Sequence, residues 1–152
     1  KGREREKKFI LLFRDLDSVN LYSDIFLKKN IISSFWPGHN SIIIPANKLI
    51  PEYLTYKYSF LARVSDHSPI IKLHEYLNGP FISTSANISG QDAPESLGSI
   101  IKLFSYKDVA LYNAPLGNKV SPSRIYNLIE KKYVRWYWLI IRKVCIVAVR
   151  YF

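Results

Sequence analysis

A chain of 152 residues is long enough for one domain with a core and short for two, and 48% hydrophobic content excludes disorder, which arises where apolar surface cannot offset ordering entropy. Six glycines and eight prolines exclude collagen-like and low-complexity classes, and a single cysteine, Cys145, excludes an internal disulfide and a cysteine-built metal site. A net charge of +10 and a pI of about 9.7 suit a polyanionic partner such as a nucleotide, RNA or an anionic membrane surface, although lysine-rich composition alone produces the same balance.

Residues 1–8 form a charged opening with no signal-peptide core after it, so the expected location is the cytoplasm. Phe9-Ile10-Leu11-Leu12-Phe13 is a short apolar run that predicts a buried strand. Asp17 or Ser18 then caps a predicted helix towards Asn30, with Leu21, Ile25 and Phe26 as its inner face. Trp36-Pro37-Gly38 interrupts the pattern, and residues 41–44 predict a second strand that Pro45 ends. Residues 60–64 predict a third, closing in the polar turn 65–69. Pro69 opens a helix to Leu77, which stops at Asn78-Gly79-Pro80.

A brief strand over 81–83 feeds the segment 84–90. Pro94 opens a predicted helix with Leu97, Ile100, Ile101 and Phe104 at helical spacing, and strands are predicted over 109–112 and 123–128. Strands alternating with helices predict an α/β sheet. The tail 136–152 is apolar and aromatic but carries Arg142, Lys143 and Arg150. A membrane span needs about 20 mostly apolar residues, so an added strand or helix, or a non-native extension, is expected instead.

Chemistry concentrates in three places. Ser83-Thr84-Ser85-Ala86-Asn87-Ile88-Ser89-Gly90 packs small hydroxyl residues between a strand and a turn, where their donors can meet phosphate oxygens. On local physics alone an ordinary polar junction is the simpler reading. Lys1, Arg3 and Lys7 stand just before the first strand and would suit a triphosphate, with Lys as a point charge and Arg as a bidentate fork; a solvated charged face is the alternative. Arg63 lies in an apolar strand and implies an anionic partner, either a substrate carboxylate or a structural Asp or Glu. His67 has no evident carboxylate to orient it, which favours a structural role, and His39, His67 and His74 show no metal spacing. No nucleophile-elbow pattern occurs, so neither hydrolase nor metalloenzyme chemistry is expected.

Together these segments resemble the YrdC-like L-threonylcarbamoyladenylate synthase family, in its expected order. Lys1-Gly2-Arg3 with Lys7 is similar to the family's basic motif. Phe35-Trp36-Pro37-Gly38 is similar to its Trp-Pro-Gly-Pro segment, with His39 where proline is expected. Arg63-Val64-Ser65-Asp66-His67 matches its Arg-Val-x-Asp-His segment, residues 83–90 match its hallmark without a gap, and Pro122-Ser123-Arg124-Ile125 resembles its late Pro-Ser-x-Ile segment. Arg135 corresponds to an arginine near the domain end.

The resemblance implies a twisted mixed α/β sheet with flanking helices around a basic cavity. It places a partial YrdC-like domain over 1–135 and the tail of unassigned role over 136–152. It also implies that the family's first strand and helix, with their Pro-Thr segment, are missing before Lys1. The implied reaction takes ATP, L-threonine and bicarbonate to threonylcarbamoyl-AMP and diphosphate, with Mg²⁺ accompanying the ATP. Threonylcarbamoyl-transferase proteins would then act on tRNA, and tRNA or double-stranded RNA is a candidate partner of the chain itself. By resemblance, Lys1, Arg3, Lys7, Ser83, Ser85, Asn87 and Arg135 bind ATP and its phosphates. Thr84, Ala86 and Ser89 line the cavity, and Arg63 and Ser123 bind threonine. The competing expectations are an RNA-binding module of the same fold without synthesis, and an inactive remnant.

Overall fold

The computed structural model describes residues 9–86, 96–104, 112–115, 121–134 and 145–148, with Ser85 and 145–148 described through their backbone. In chain order the elements are β1 (Ile10–Phe13), α1 (Leu16–Asn20), α2 (Lys29–Ile32), β2 (Asn40–Pro45), a single 3-10 turn (Glu52–Leu54) and β3 (Ser59–Val64). They continue with α3 (Ser68–Tyr76), β4 (Phe81–Ser85), α4 (Leu97–Leu103), β5 (Arg124–Asn127), β6 (Lys132–Tyr133) and β7 (Cys145–Ala148). The strands form one mixed seven-stranded sheet in the order β6-β5-β2-β3-β1-β4-β7. β1 runs parallel to β3, and β2 to β5, while the other neighbours are antiparallel. The α/β expectation holds, and residues 145–148 add an edge strand beside β4.

Both faces of the central strands are buried, which is why β1 and β3 read as continuous apolar runs rather than as alternating ones. On one face Leu11, Phe13, Ile42, Ile44, Phe60, Ala62 and Val64 pack with Val19, Ile32 and Trp36. Leu12, Leu61 and Phe81 alternate onto the other face and are also buried.

The helix expected over 17–30 is instead two short ones. Asp15 is the first cap, accepting from the Ser18 amide at 2.8 Å, and Ser18 answers by accepting from the Asp15 amide at 3.1 Å. After Asn20 the chain turns outward, because the Asn20 amide brackets Leu27 with two hydrogen bonds of 2.8 and 3.2 Å. Ser23 meanwhile forms a β-bridge with Ala46. The expected inner face is thereby turned to solvent, with Leu21 65%, Ile25 41% and Phe26 79% exposed; Val19, Leu27 and Ile32 are the inward residues.

α3 opens at Ser68, one residue before the expected Pro69, which stands in its first turn, and the turn after that helix uses Gly79 at φ 139°, a backbone region that favours glycine. α4 begins at Leu97 with Ser96 as its cap, rather than at Pro94, which lies outside the described residues. Of the strand expected over 109–112, only Tyr112 is described, and it is not in a strand.

His74 on α3 is 6% exposed and stacks on Phe81 at a centroid distance of 4.6 Å, with Nε2 buried and unpartnered. Burial holds its pKa below the ordinary histidine value; the positive charge of Arg14 acts in the same direction and Asp15 opposes it. A folded-state pKa below the unfolded one means that the unfolded chain binds the proton more readily. The stabilising effect of neutral His74 is therefore complete above the unfolded value of about 6.5 and is lost as pH falls below it. The urea midpoint is expected to drop between pH 7.5 and 5.5, and His74→Leu should flatten that drop. Parallel curves for the two proteins would assign the effect to another group.

Candidate active site

The site grows from the turn between α2 and β2. Trp36 is buried beneath it and donates its indole N–H to the Asn40 carbonyl at 2.8 Å, while the Asn40 amide donates to the Phe35 carbonyl at 3.2 Å. These bonds hold a turn with a cis Trp36-Pro37 bond, and the Gly38 amide docks it on the end of β3 by donating to the Val64 carbonyl at 2.9 Å. A side chain at Gly38 would bring a Cβ within 3.2 Å of the Phe35 carbonyl oxygen, tighter than most packing allows.

Arg63 is half-buried, and its Nε donates to the Gly38 carbonyl at 3.0 Å. At Nε the partner is a backbone dipole. Anchoring through Nε sets the plane of the guanidinium, the orientation that makes bidentate recognition of a carboxylate specific.

The sheet brings further polar residues to the same face. Arg63 pairs with Leu12, and Leu12 with Phe81; two residues further along, Ser83 pairs with Ile10 and Ile10 with Leu61. Side chains alternate along a strand, so Ser83 and Arg63 share a face, with backbones roughly 12 Å apart by ordinary strand spacing. On the other side of Arg63, β2 and β3 pair as far as Ile42 and Ala62, and Ser41 is the next residue outward. The Ser41 Oγ lies 2.8 Å from the Ser123 Oγ, just before β5. Thr84 alternates to the opposite face, with Ile82, and Ala86 is fully buried.

Two histidines bond to backbone carbonyls of later segments. His39 Nε2 lies 2.7 Å from the Ser121 carbonyl, and His67 Nε2 lies 3.2 Å from the Pro115 carbonyl. A carbonyl only accepts, so both rings must carry a proton on Nε2. His67 thus straps one chain segment to another, in keeping with the structural role expected for it.

Of the residues singled out in the sequence, Arg63, Ser83 and Ser123 are brought to one face of the sheet. Ser85 is placed by its backbone pairing with Cys145. Lys1, Arg3, Lys7, Asn87, Ser89 and Arg135 lie outside the described residues. Sequence reasoning passed over Ser41, although its signal was present: a hydroxyl directly precedes the apolar run Ile42-Ile43-Ile44 of β2. Among the described residues, no three His, Cys, Asp or Glu side chains cluster to hold a metal, and no helix is long and apolar enough to cross a membrane.

Comparison with known proteins gives a family from sequence and a fold from structure. The Sua5/YciO/YrdC family model, described as "Telomere recombination", matches residues 1–143. A threonylcarbamoyl-AMP synthase of Buchnera aphidicola subsp. Acyrthosiphon pisum (strain APS) is 36% identical over 145 residues, covering 90% of this chain and 80% of the relative. Another of that name, from Stutzerimonas stutzeri (strain A1501), is 32% identical over 138 residues, covering 89% and 74%. Among solved structures, P. abyssi Sua5 complexed with L-threonine superposes with a TM-score of 0.73 at 22% identity, covering 88% of this chain but only 40% of that one. E. coli YciO superposes with a TM-score of 0.68 at 22% identity, covering 97% and 69%.

Proposed function

The chain belongs to the Sua5/YciO/YrdC family, and from that premise we propose that it is a threonylcarbamoyl-AMP synthase serving tRNA modification. The observation that carries this reading is the shared sheet face: a plane-fixed arginine on the same face as the hydrogen-bonded pair of buried Ser41 and half-buried Ser123, with Ser83 two strands away. Such a face suits a substrate with a carboxylate at one end and a phosphate at the other.

The chemistry balances without a covalent enzyme intermediate. The threonine amine adds to the carbon of bicarbonate or carbon dioxide, giving a carbamate and releasing water or a proton. A carbamate oxygen then attacks the α-phosphorus of ATP, the bond to the bridging α–β oxygen breaks, and diphosphate leaves. Three anions meet along this path, so orientation and cationic shielding supply most of the acceleration. Arg63 would hold the threonine carboxylate and Ser123 would bond the same substrate. Ser83, Ser85 and Asn87 would contact the nucleotide, with Thr84, Ala86 and Ser89 shaping their segment. Lys1, Arg3, Lys7 and Arg135 would offset phosphate charge. Mg²⁺ would arrive on the ATP phosphates and neutralise them as diphosphate departs. The product would pass to a threonylcarbamoyl-transferase acting on tRNA, in the cytoplasm.

The test is formation of threonylcarbamoyl-AMP and diphosphate from ATP, L-threonine and bicarbonate, followed by chromatography. Product dependent on all three substrates is the expected result. A cooperatively folded chain that forms none, yet binds RNA with a steep salt dependence, would replace this reading with an RNA-binding module.

A further inference from the structure

Two side-chain rungs join the entrance of β2 to the segment before β5. His39 and Ser41 stand two residues apart, and their partners Ser121 and Ser123 do the same. The rungs measure 2.7 Å from His39 Nε2 to the Ser121 carbonyl and 2.8 Å from Ser41 Oγ to Ser123 Oγ. Ser41 is 0% exposed, as are its strand neighbours Ile42 and Ile44. Packing alone would be served by another apolar side chain there. A buried hydroxyl costs free energy unless it is bonded, and the partner here is Ser123.

We infer that His39 and Ser41 are positioning residues for the substrate-binding hydroxyl of Ser123. The inference rests on the threonine subsite proposed above and deepens it. His39 holds the backbone two residues upstream of Ser123, which limits where the Ser123 side chain can stand. Ser41 is wholly enclosed, so its own O–H is best spent on Ser123, which accepts it. Ser123 is only half-buried, and with one lone pair so occupied its O–H is left to donate to an acceptor oxygen of the ligand. The pair thereby turns a freely rotating hydroxyl into a directed donor on the same sheet face as Arg63, at the end of the proposed site that receives the amino acid.

The measurement is calorimetric titration of the full chain with L-threonine and, separately, with ATP, alongside thermal unfolding of each variant. Ser41→Ala and His39→Leu should each weaken threonine binding about tenfold while changing ATP affinity less than about twofold. His39→Gln, whose amide can still donate to the Ser121 carbonyl, should recover most of the loss. Ser123→Ala separates the two levels of the argument. If it weakens threonine binding while Ser41→Ala and His39→Leu bind normally, the positioning role is overturned and the subsite stands. If Ser123→Ala changes nothing, or the parent chain binds no threonine, the subsite fails and this inference with it. Equal losses for threonine and ATP, with lowered melting temperatures and no recovery in His39→Gln, would reduce both residues to structural ones. Should Ser41→Ala fail to fold, the His39→Leu and His39→Gln pair decides.

Discussion

Arg63→Ala is expected to lower threonylcarbamoyl-AMP formation by roughly 10²–10³-fold, the range seen when one member of a hydrogen-bonded charge pair is truncated. Arg63 lies inside the sheet, paired with Leu12 on one side and following Ala62, whose partner on the other side is Ile42. Its side chain is half-buried, so truncation removes the charge without opening a large core void. Two losses would go together: the proposed threonine carboxylate would lose its cation, and the Gly38 carbonyl would lose its 3.0 Å donor. Lysine would supply charge but has no Nε–H set in a plane, so Arg63→Lys should recover little. Initial rates at varied threonine and fixed ATP test this, with ATP binding measured in parallel. The threonine dependence should weaken while ATP binding persists. Rates within about threefold of the parent would remove Arg63 from the substrate's path, since even a single charge-assisted bond is worth more.

What was legible in the sequence and what was not divides by range. β1 and β3 were readable because apolar runs such as Leu11-Leu12-Phe13 and Phe60-Leu61-Ala62 report burial on both faces directly. α3 was readable because Pro69 sits where a missing N–H does no harm. The break after Asn20 was not, because it depends on partners far along the chain: Ser23 meets Ala46, and the Asn47 amide meets the Tyr22 carbonyl at 3.0 Å. Helical spacing of Leu21, Ile25 and Phe26 is a local signal, and a long-range strand bridge overrode it. The site divides the same way. Arg63 stood out as a cation in an apolar strand. The Ser41–Ser123 contact joins positions 82 apart, and no local pattern specifies that β2 and β5 lie side by side. Strand order, rather than strand existence, is what assembles the face.

The largest stability effect should come from Phe13→Ala, expected to cost about 3–5 kcal/mol, the usual loss when a buried aromatic side chain is truncated. Phe13 is 1% exposed and lies within 5.7 Å of the Tyr22 ring and 5.8 Å of the Phe60 ring, centroid to centroid. Those contacts join β1 to β3 and to the stretch after α1, so the void would open where three segments converge. Little relaxation is available, because Phe13 pairs in register with Val64 and the Val64 carbonyl holds the Gly38 amide at 2.9 Å. Collapse around the void would pull on the turn that orients Arg63, so lost stability and weakened threonine binding should appear together. Against a total stability of roughly 5–15 kcal/mol for a domain of this kind, such a loss moves the urea midpoint far towards zero. The control is Phe26→Ala, the same deletion at a residue 79% exposed, which should shift stability by no more than about 0.5 kcal/mol. Urea unfolding of the three proteins settles the matter. Equal losses at Phe13 and Phe26 would mean that Phe26 packs in solution after all, and that the continuous helix read from the spacing of Leu21, Ile25 and Phe26 is the better description.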